Sequence, residues 1–208
     1  MTALYERYRP KTWSEIVGQD KIVKVLRRLA VAGGRAYWIS GASGTGKTSI
    51  ACLIAAGVAD QWATYTFDDP TQLTAERLEG LWVQRRYRPL GRGYCNIVNE
   101  CHGLRTDQIR KLLGLIEGLP DWVTWVFTTT LAGQQRMFDC EDTNPLLSRC
   151  ITVTLNSDVA LPFAKRAKEI AQAENLDGRP LTDYIRLVNE HRGNMRGVLQ
   201  AIEAGGML

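Results

Sequence analysis

Apolar positions along this chain follow two periods. Ile22, Val23, Leu26, Leu29 and Ala30 recur at helical spacing, which predicts an amphipathic helix over residues 19–32, stopped by Gly33-Gly34. Ala36-Tyr37-Trp38-Ile39-Ser40 is short, aromatic and β-branched, the pattern of a buried strand. Small and apolar residues over 47–59 predict a helix, and residues 64–67 a second strand. Leu73, Leu78, Leu81 and Trp82 mark a helix over about 71–83. Residues 94–98 read as a third strand, and Ile109, Leu112, Leu113 and Ile116 as one face of a helix over 105–117. Residues 122–129 and 151–155 are the fourth and fifth strands. The polar, aromatic stretch 1–18, ending in Val17-Gly18, reads as loop.

From residue 157 only helical patterns remain, near 159–174, 181–191 and 195–204, broken at Asn175-Leu176-Asp177-Gly178 and at Gly193. Strands alternating with helices indicate an α/β domain with a parallel sheet. The expected division is a sheet domain over 1–156 and a small helical domain over 157–208.

Composition narrows the class. In 208 residues, 45% apolar and 23% charged usage excludes disorder, collagen or coiled coil as a description of the whole chain. The longest apolar run, Ile50 to Ala59, is about half of a membrane span, and the first residues lack the apolar core of a signal peptide. A cytoplasmic protein with no membrane association is expected. The charge of +4 permits a polyanion partner without demanding one. Arg85, Arg86, Arg88 and Arg92 cluster with no acid among them, a candidate partner-facing loop. The Arg-Tyr-Arg-Pro run at 7–10 recurs at 86–89 with different flanks, which we read as chance. Five widely spaced cysteines, at 52, 95, 101, 140 and 150, form no CxxC pair and read as buried free thiols rather than disulfides or a zinc site.

Gly41-Ala42-Ser43-Gly44-Thr45-Gly46-Lys47-Thr48 fits G-x-x-x-x-G-K-[ST] between a predicted strand and a predicted helix. The glycines let successive N–H groups turn toward phosphate oxygens, and the helix that follows adds its positive end. Lys47 would meet the β- and γ-phosphates, and the Thr48 hydroxyl, with Ser49 beside it, is the expected Mg²⁺ ligand. ATP or GTP binding follows from this loop. A nucleoside triphosphatase of this kind also needs carboxylates at a neighbouring strand end. The third strand ends in Asn99-Glu100 where Asp-Glu is expected. Glu100 is a candidate base, Asn99 a weak metal ligand, and His102 an orienting residue.

Together these residues resemble the AAA+ ATPases of the clamp-loader group, which includes polymerase III gamma/tau-type subunits and replication factor C small subunits. Tyr8-Arg9-Pro10 through Val17-Gly18-Gln19 looks like the family's N-terminal segment beside the adenine. Phe67-Asp68-Asp69 resembles the acidic step after the second strand, Asn99-Glu100-Cys101-His102 the Walker B box, and Ile116-Glu117-Gly118-Leu119-Pro120 the turn that follows. Phe127-Thr128-Thr129-Thr130 is similar to the sensor 1 strand, with Thr130 as γ-phosphate sensor. Leu147-Ser148-Arg149-Cys150 matches the motif whose arginine reaches a neighbouring subunit's ATP. Gly193-Asn194-Met195-Arg196 looks like sensor 2 in the lid.

The resemblance implies a P-loop AAA+ parallel sheet flanked by helices with an all-helical lid, ATP and Mg²⁺ as cofactors, and coupling of ATP use to assembly on DNA. It also implies self-association or a clamp or clamp-loader-like partner, with Arg105, Arg110 and Lys111 as DNA-facing cations. The chain departs from the pattern at Asn99. The stretch from Thr130 to Ser148, with Gln134-Gln135-Arg136-Met137-Phe138-Asp139 and Glu141-Asp142, is longer than usual, a candidate inserted loop at a partner face. The family's zinc module is missing, and no helical collar follows the lid by residue 208. Two alternatives stay open: an ATP-binding subunit deficient in hydrolysis, and another DNA-linked AAA+ role such as a helicase loader or branch-migration motor.

Overall fold

The structure is a computed structural model, and it describes residues 2–133 and 143–208. The long-loop expectation for Gln134 to Asp139 and Glu141-Asp142, and the thiol of Cys140, lie outside the described residues. Five parallel strands, β1 (Arg35–Ser40), β2 (Thr64–Phe67), β3 (Tyr94–Val98), β4 (Val123–Thr129) and β5 (Cys150–Thr154), lie in the order β2-β3-β4-β1-β5. The inner strands β1, β3 and β4 are almost wholly buried because both sheet faces are covered, and the edge strands β2 and β5 are partly exposed.

The N-terminal stretch contains α1 (Leu4–Arg7) and a 3₁₀ turn at Trp13–Glu15, where loop was expected. The helices α2 (Asp20–Leu29) and α3 (Lys47–Val58) cover one face of the sheet. Leu26, Ile50, Ile54 and Val58 pack there on Tyr37, Ile39, Cys95, Ile97 and Val126. The opposite face takes α4 (Ala75–Arg86) and α5 (Thr106–Ile116). Leu78, Leu81, Ile109, Leu112 and Ile116 pack there on Trp38, Val98, Trp125 and Phe127. Alternate residues of each strand divide between the two cores, as the pleat requires.

Two elements differ from the sequence expectation. The helix expected over 71–83 begins at Ala75, because Asp69 Oδ1 accepts the Thr71 amide and starts a separate 3₁₀ turn at Pro70–Gln72. Thr74 Oγ1 then caps α4 by accepting the Arg77 amide at 3.2 Å. The helix runs on through Arg85 and Arg86. Trp82 is 40% exposed and lies under the Arg85 guanidinium, 5.1 Å from ring centroid to Cζ. A short helix, α6 (Thr143–Ser148), precedes β5 and was not expected.

The remaining helices, α7 (Ala160–Ala173), α8 (Leu181–Glu190) and α9 (Met195–Glu203), enclose a third core. Phe163, Ile170, Tyr184, Val188, Leu199 and Ile202 fill it together with Leu4 from the N-terminus. Tyr5, Tyr8 and Val17 pack against the same cluster, so the first residues join the helical unit and not the sheet.

After Arg86 the chain forms an exposed loop, but the first and last of the four clustered arginines, Arg85 and Arg92, are turned onto helix ends. Arg85 Nη1 donates to the carbonyls of Gly114 and Leu115 at 2.7 and 2.8 Å, and Nη2 to Gly118 at 3.2 Å, closing the C-terminus of α5. Arg92 ties the end of α3 through the Ala56 and Ala59 carbonyls and pairs with Asp60. Arg86 and Arg88 are exposed. Of the thiols, Cys95 and Cys101 are buried and Cys150 is half-buried, whereas Cys52 is exposed, contrary to expectation. Burial pushes the Cys150 thiol up to about 12.

Candidate functional site

The loop from Gly41 to Gly46 joins the C-terminal end of β1 to the N-terminus of α3. Gly44 and Gly46 adopt φ of +73° and +101°, a region open to glycine and strained for other residues. Thr45 Oγ1 donates to the Ala42 carbonyl at 2.8 Å. Lys47 Nζ donates to the carbonyls of Gly41 and Ala42 at 3.0 and 2.8 Å, folded over the loop. Burial lowers the Lys47 pKa, opposed by the charge of Glu100 and reinforced by that of Arg196.

A cleft opens over this loop between sheet and helical unit. Ser43 to Ser49 and Glu100 form its floor; Tyr8, Arg9, Pro10 and Val17 form one wall; Arg196 forms part of the other. The first wall is fixed to the helical unit: Tyr8 Oη and Arg7 Nη2 each donate to Glu174 at 2.6 Å. Gln19 trades hydrogen bonds with the backbone of Asn156, giving one at 3.0 Å and accepting one at 2.8 Å, and so clasps the chain where the sheet ends. Gly18 lies outside the cleft, and a side chain there would meet Val159 and Pro162.

Strand register sets the acidic end of the sheet. Phe67 pairs with Val98 and Val98 with Phe127, so residues 68, 99 and 128 form the next row. Asn99 is buried in it. Its Nδ2 donates to Asp68 Oδ1 at 2.9 Å, and its Oδ1 accepts the Thr128 hydroxyl at 2.9 Å. Glu100 follows in the left-handed region, φ 49°, and its Oε2 lies 3.4 Å from His102 Nδ1. His102 Nδ1 is also 3.3 Å from Thr129 Oγ1, so His102 bridges the strand to Glu100.

Other candidates are not gathered here. Thr130 stands outside the cleft lining, and its hydroxyl accepts the Gly133 amide at 3.0 Å. Arg149 immediately precedes β5, whose first residue pairs with Ala36, whereas the phosphate loop starts beyond Ser40. These are opposite ends of the sheet, about 15–20 Å apart at ~3.3 Å per strand residue, so Arg149 cannot meet its own chain's loop. It donates to the Pro145 carbonyl and pairs with Glu117 at 3.3 Å. Arg105 pairs with Asp107, Lys111 with Glu79, and Arg110 is exposed on the same helix.

Sequence reasoning missed several residues of the cleft, among them Tyr5, Ile16, Phe163, Arg166, Ile170 and Leu199. The apolar ones read as core by periodicity, and no local pattern separates core from cleft lining. Tyr5 sits 5.5 Å beneath the Arg196 guanidinium, a cation–π contact across 191 residues of chain that no motif signals.

Oxygen donors suited to a nucleotide-bound divalent cation are present at Thr48 and at the 68–99 row, since Mg²⁺ is held by one or two protein oxygens plus phosphates and water. The residues fit that group, with Asp68 as the carboxylate of the row and an amide at Asn99.

A mostly apolar five-strand parallel sheet, a phosphate loop after β1 and a three-helix lid define the AAA+ fold. Solved structures share it, among them the following two. A RuvB variant from Thermotoga maritima has a TM-score of 0.72 at 19% identity, covering 94% of this chain and 64% of that one. A DNA polymerase III gamma subunit-related protein from the same organism has a TM-score of 0.55 at 16% identity, over 81% and 56%. In sequence the chain is similar to DNA polymerase III gamma/tau subunits and replication factor C small subunits. It is 26% identical to DNA polymerase III subunit tau/gamma of Haemophilus influenzae, over 97% of this chain and 32% of that protein. It is 24% identical to replication factor C small subunit 1 of Pyrobaculum arsenaticum, over 96% and 60%. The chain therefore spans about a third to three-fifths of the length of these relatives. No family model matches it.

Proposed function

We propose that the protein is an ATP-binding AAA+ ATPase of clamp-loader type that couples nucleotide binding and hydrolysis to assembly on DNA with other copies or a partner chain. The observation that carries this reading is the convergence of the phosphate loop, the Tyr8–Pro10 segment and Arg196 on one cleft between sheet and lid. Phosphates would lie on the loop amides and Lys47, Mg²⁺ on Thr48, and the base would lie between the base-side wall and the lid. Glu100 would orient the attacking water. Arg149, at the far end of the sheet, would serve the site of an adjoining copy, where an arginine stabilises charge on the transferred phosphoryl group. DNA would be held by backbone neutralisation through Arg105, Arg110 and Lys111. Among the described residues no helix is long and apolar enough to cross a membrane, in keeping with action in the cytoplasm.

Asn99 supports a second reading, a subunit that binds ATP and hydrolyses it slowly. At its position the sheet presents a buried amide held between Thr128 and Asp68.

The test is steady-state ATP hydrolysis with Mg²⁺ across protein concentration, with and without primer–template DNA, beside Lys47→Ala. Turnover that rises with concentration and with DNA supports the first reading. Tight ATP binding with no turnover above Lys47→Ala supports the second.

A further inference from the structure

We infer that Asp68 supplies the carboxylate that the Asn99 position lacks, and that Asn99 holds it toward the Mg²⁺ of bound ATP. This rests on the reading of the cleft as an ATP–Mg²⁺ site.

Asp68 and Asn99 belong to different strands 31 residues apart, and the parallel register of β2 and β3 sets them side by side. The pleat sends both toward α3. Ile97 and Val126 belong to the core under α2 and α3, so residues 99 and 128, two further along each strand, face the same way. Phe67 belongs to the opposite core, so its successor Asp68 faces α3 as well. The first turn of α3 carries Thr48, and Cys52, one turn on, feels the charge of Asp68.

Asn99 is held on both sides of its amide. Thr128 donates to its oxygen, which turns its NH₂ outward to Asp68. An amide is suited to this task because it accepts on one side and donates on the other. An aspartate at position 99 would face the Asp68 carboxylate across the same 2.9 Å contact with no hydrogen to share at neutral pH. One negative charge thus remains at this row, on Asp68, and Asn99 is a positioning residue for it. Asp68 would act on the cation through a bound water, the habit of Mg²⁺, which sheds its hydration reluctantly.

The charge is therefore exchangeable between the two positions. Binding of ATPγS to the full chain would be measured by calorimetry in Mg²⁺ and in EDTA for wild type, Asp68→Asn, Asn99→Asp and the double variant. Wild type is expected to bind more tightly in Mg²⁺ than in EDTA. Asp68→Asn, an exposed and isosteric change, should lose about tenfold of that gain, while its affinity in EDTA stays as in wild type. The double variant, with the hydrogen bond reversed, should regain it. Asn99→Asp alone should melt lower in EDTA and recover with Mg²⁺, which two adjacent carboxylates would bind.

The inference is overturned if Asp68→Asn keeps the full Mg²⁺ gain, or if the double variant fails to restore what Asp68→Asn loses. If wild type binds ATPγS no better than Lys47→Ala in either buffer, the nucleotide reading itself has failed.

Discussion

The carbonyl of Gly44, at the crest of the phosphate loop, accepts the backbone amide of Met195 at 3.3 Å. The glycine-rich loop is thereby tied to the first turn of the lid helix that carries Arg196. Gly44 has positive φ, and a Cβ on it would run into Asn194, whose Oδ1 caps α9 by accepting the Gly197 amide. Gly44→Ala is expected to combine backbone strain with the loss of that docking. The combined cost is about 1–3 kcal/mol, or some 2–4 °C per kcal/mol in a chain of this size. Calorimetric melting would show it, with a matching fall in ATPγS affinity.

Lys47 binds its proton less tightly in the folded chain than its ordinary value of 10.5, first because it is buried. Between the lowered pKa and 10.5 the unfolded chain holds more protons, so the nucleotide-free protein should gain stability as pH rises through that window. Below the lowered pKa the full cost of the buried charge is present. Lys47→Met should melt at or above wild type at neutral pH, lose the rise toward pH 10, and show no stabilisation by ATP. Melting curves across pH, with and without nucleotide, check all three.

Arg85 closes the C-terminus of α5 with three hydrogen bonds to carbonyls. Arg85→Ala leaves them without that donor and removes the cover from Trp82. A loss of roughly 2 kcal/mol is expected, a fall of about 4–8 °C. Arg86→Ala, one residue along and exposed, should leave the melting temperature unchanged. Equal effects from both would refute the capping role.

Glu174 receives Tyr8 and Arg7, and those hydrogen bonds hold its carboxyl below the usual range. That contribution is present above pH 4.5 and is lost as pH falls through the lowered value. At neutral pH, Glu174→Ala should release residues 3–10 from the lid. Limited trypsin digestion after Arg7 should then run faster than in wild type, while cleavage elsewhere keeps its rate.

Arg149 pairs at the surface with Glu117, so Arg149→Ala should barely alter stability. If it completes a neighbour's site, turnover should drop by about 10³-fold. A mixture of Arg149→Ala with Lys47→Ala should then turn over faster than either alone, since one retains the loop and the other the arginine. A mixture no faster than its components would place Arg149 outside the reaction.

Much of this architecture was legible residue by residue. The strands at 64–67 and 94–98 have the bounds that their apolar, β-branched runs predict, and the lid helices differ from their expected ends by a residue or so. Helical period, strand alternation and glycine's access to positive φ are properties of a few neighbouring residues, so they are written in the chain itself. The phosphate loop belongs to this class, because its function is its own backbone geometry.

What the tertiary structure decided is every relation between distant residues. Asn99 reads as a missing charge in the chain, and the register of two parallel strands brings Asp68 against it. Tyr8 belongs to the lid because Glu174 lies beside it, and two of the four clustered arginines, Arg85 and Arg92, serve helix ends that need donors. Arg149 is separated from its own phosphate loop by the length of a strand. Pairing across the sheet sets these distances, and no window of sequence contains both partners.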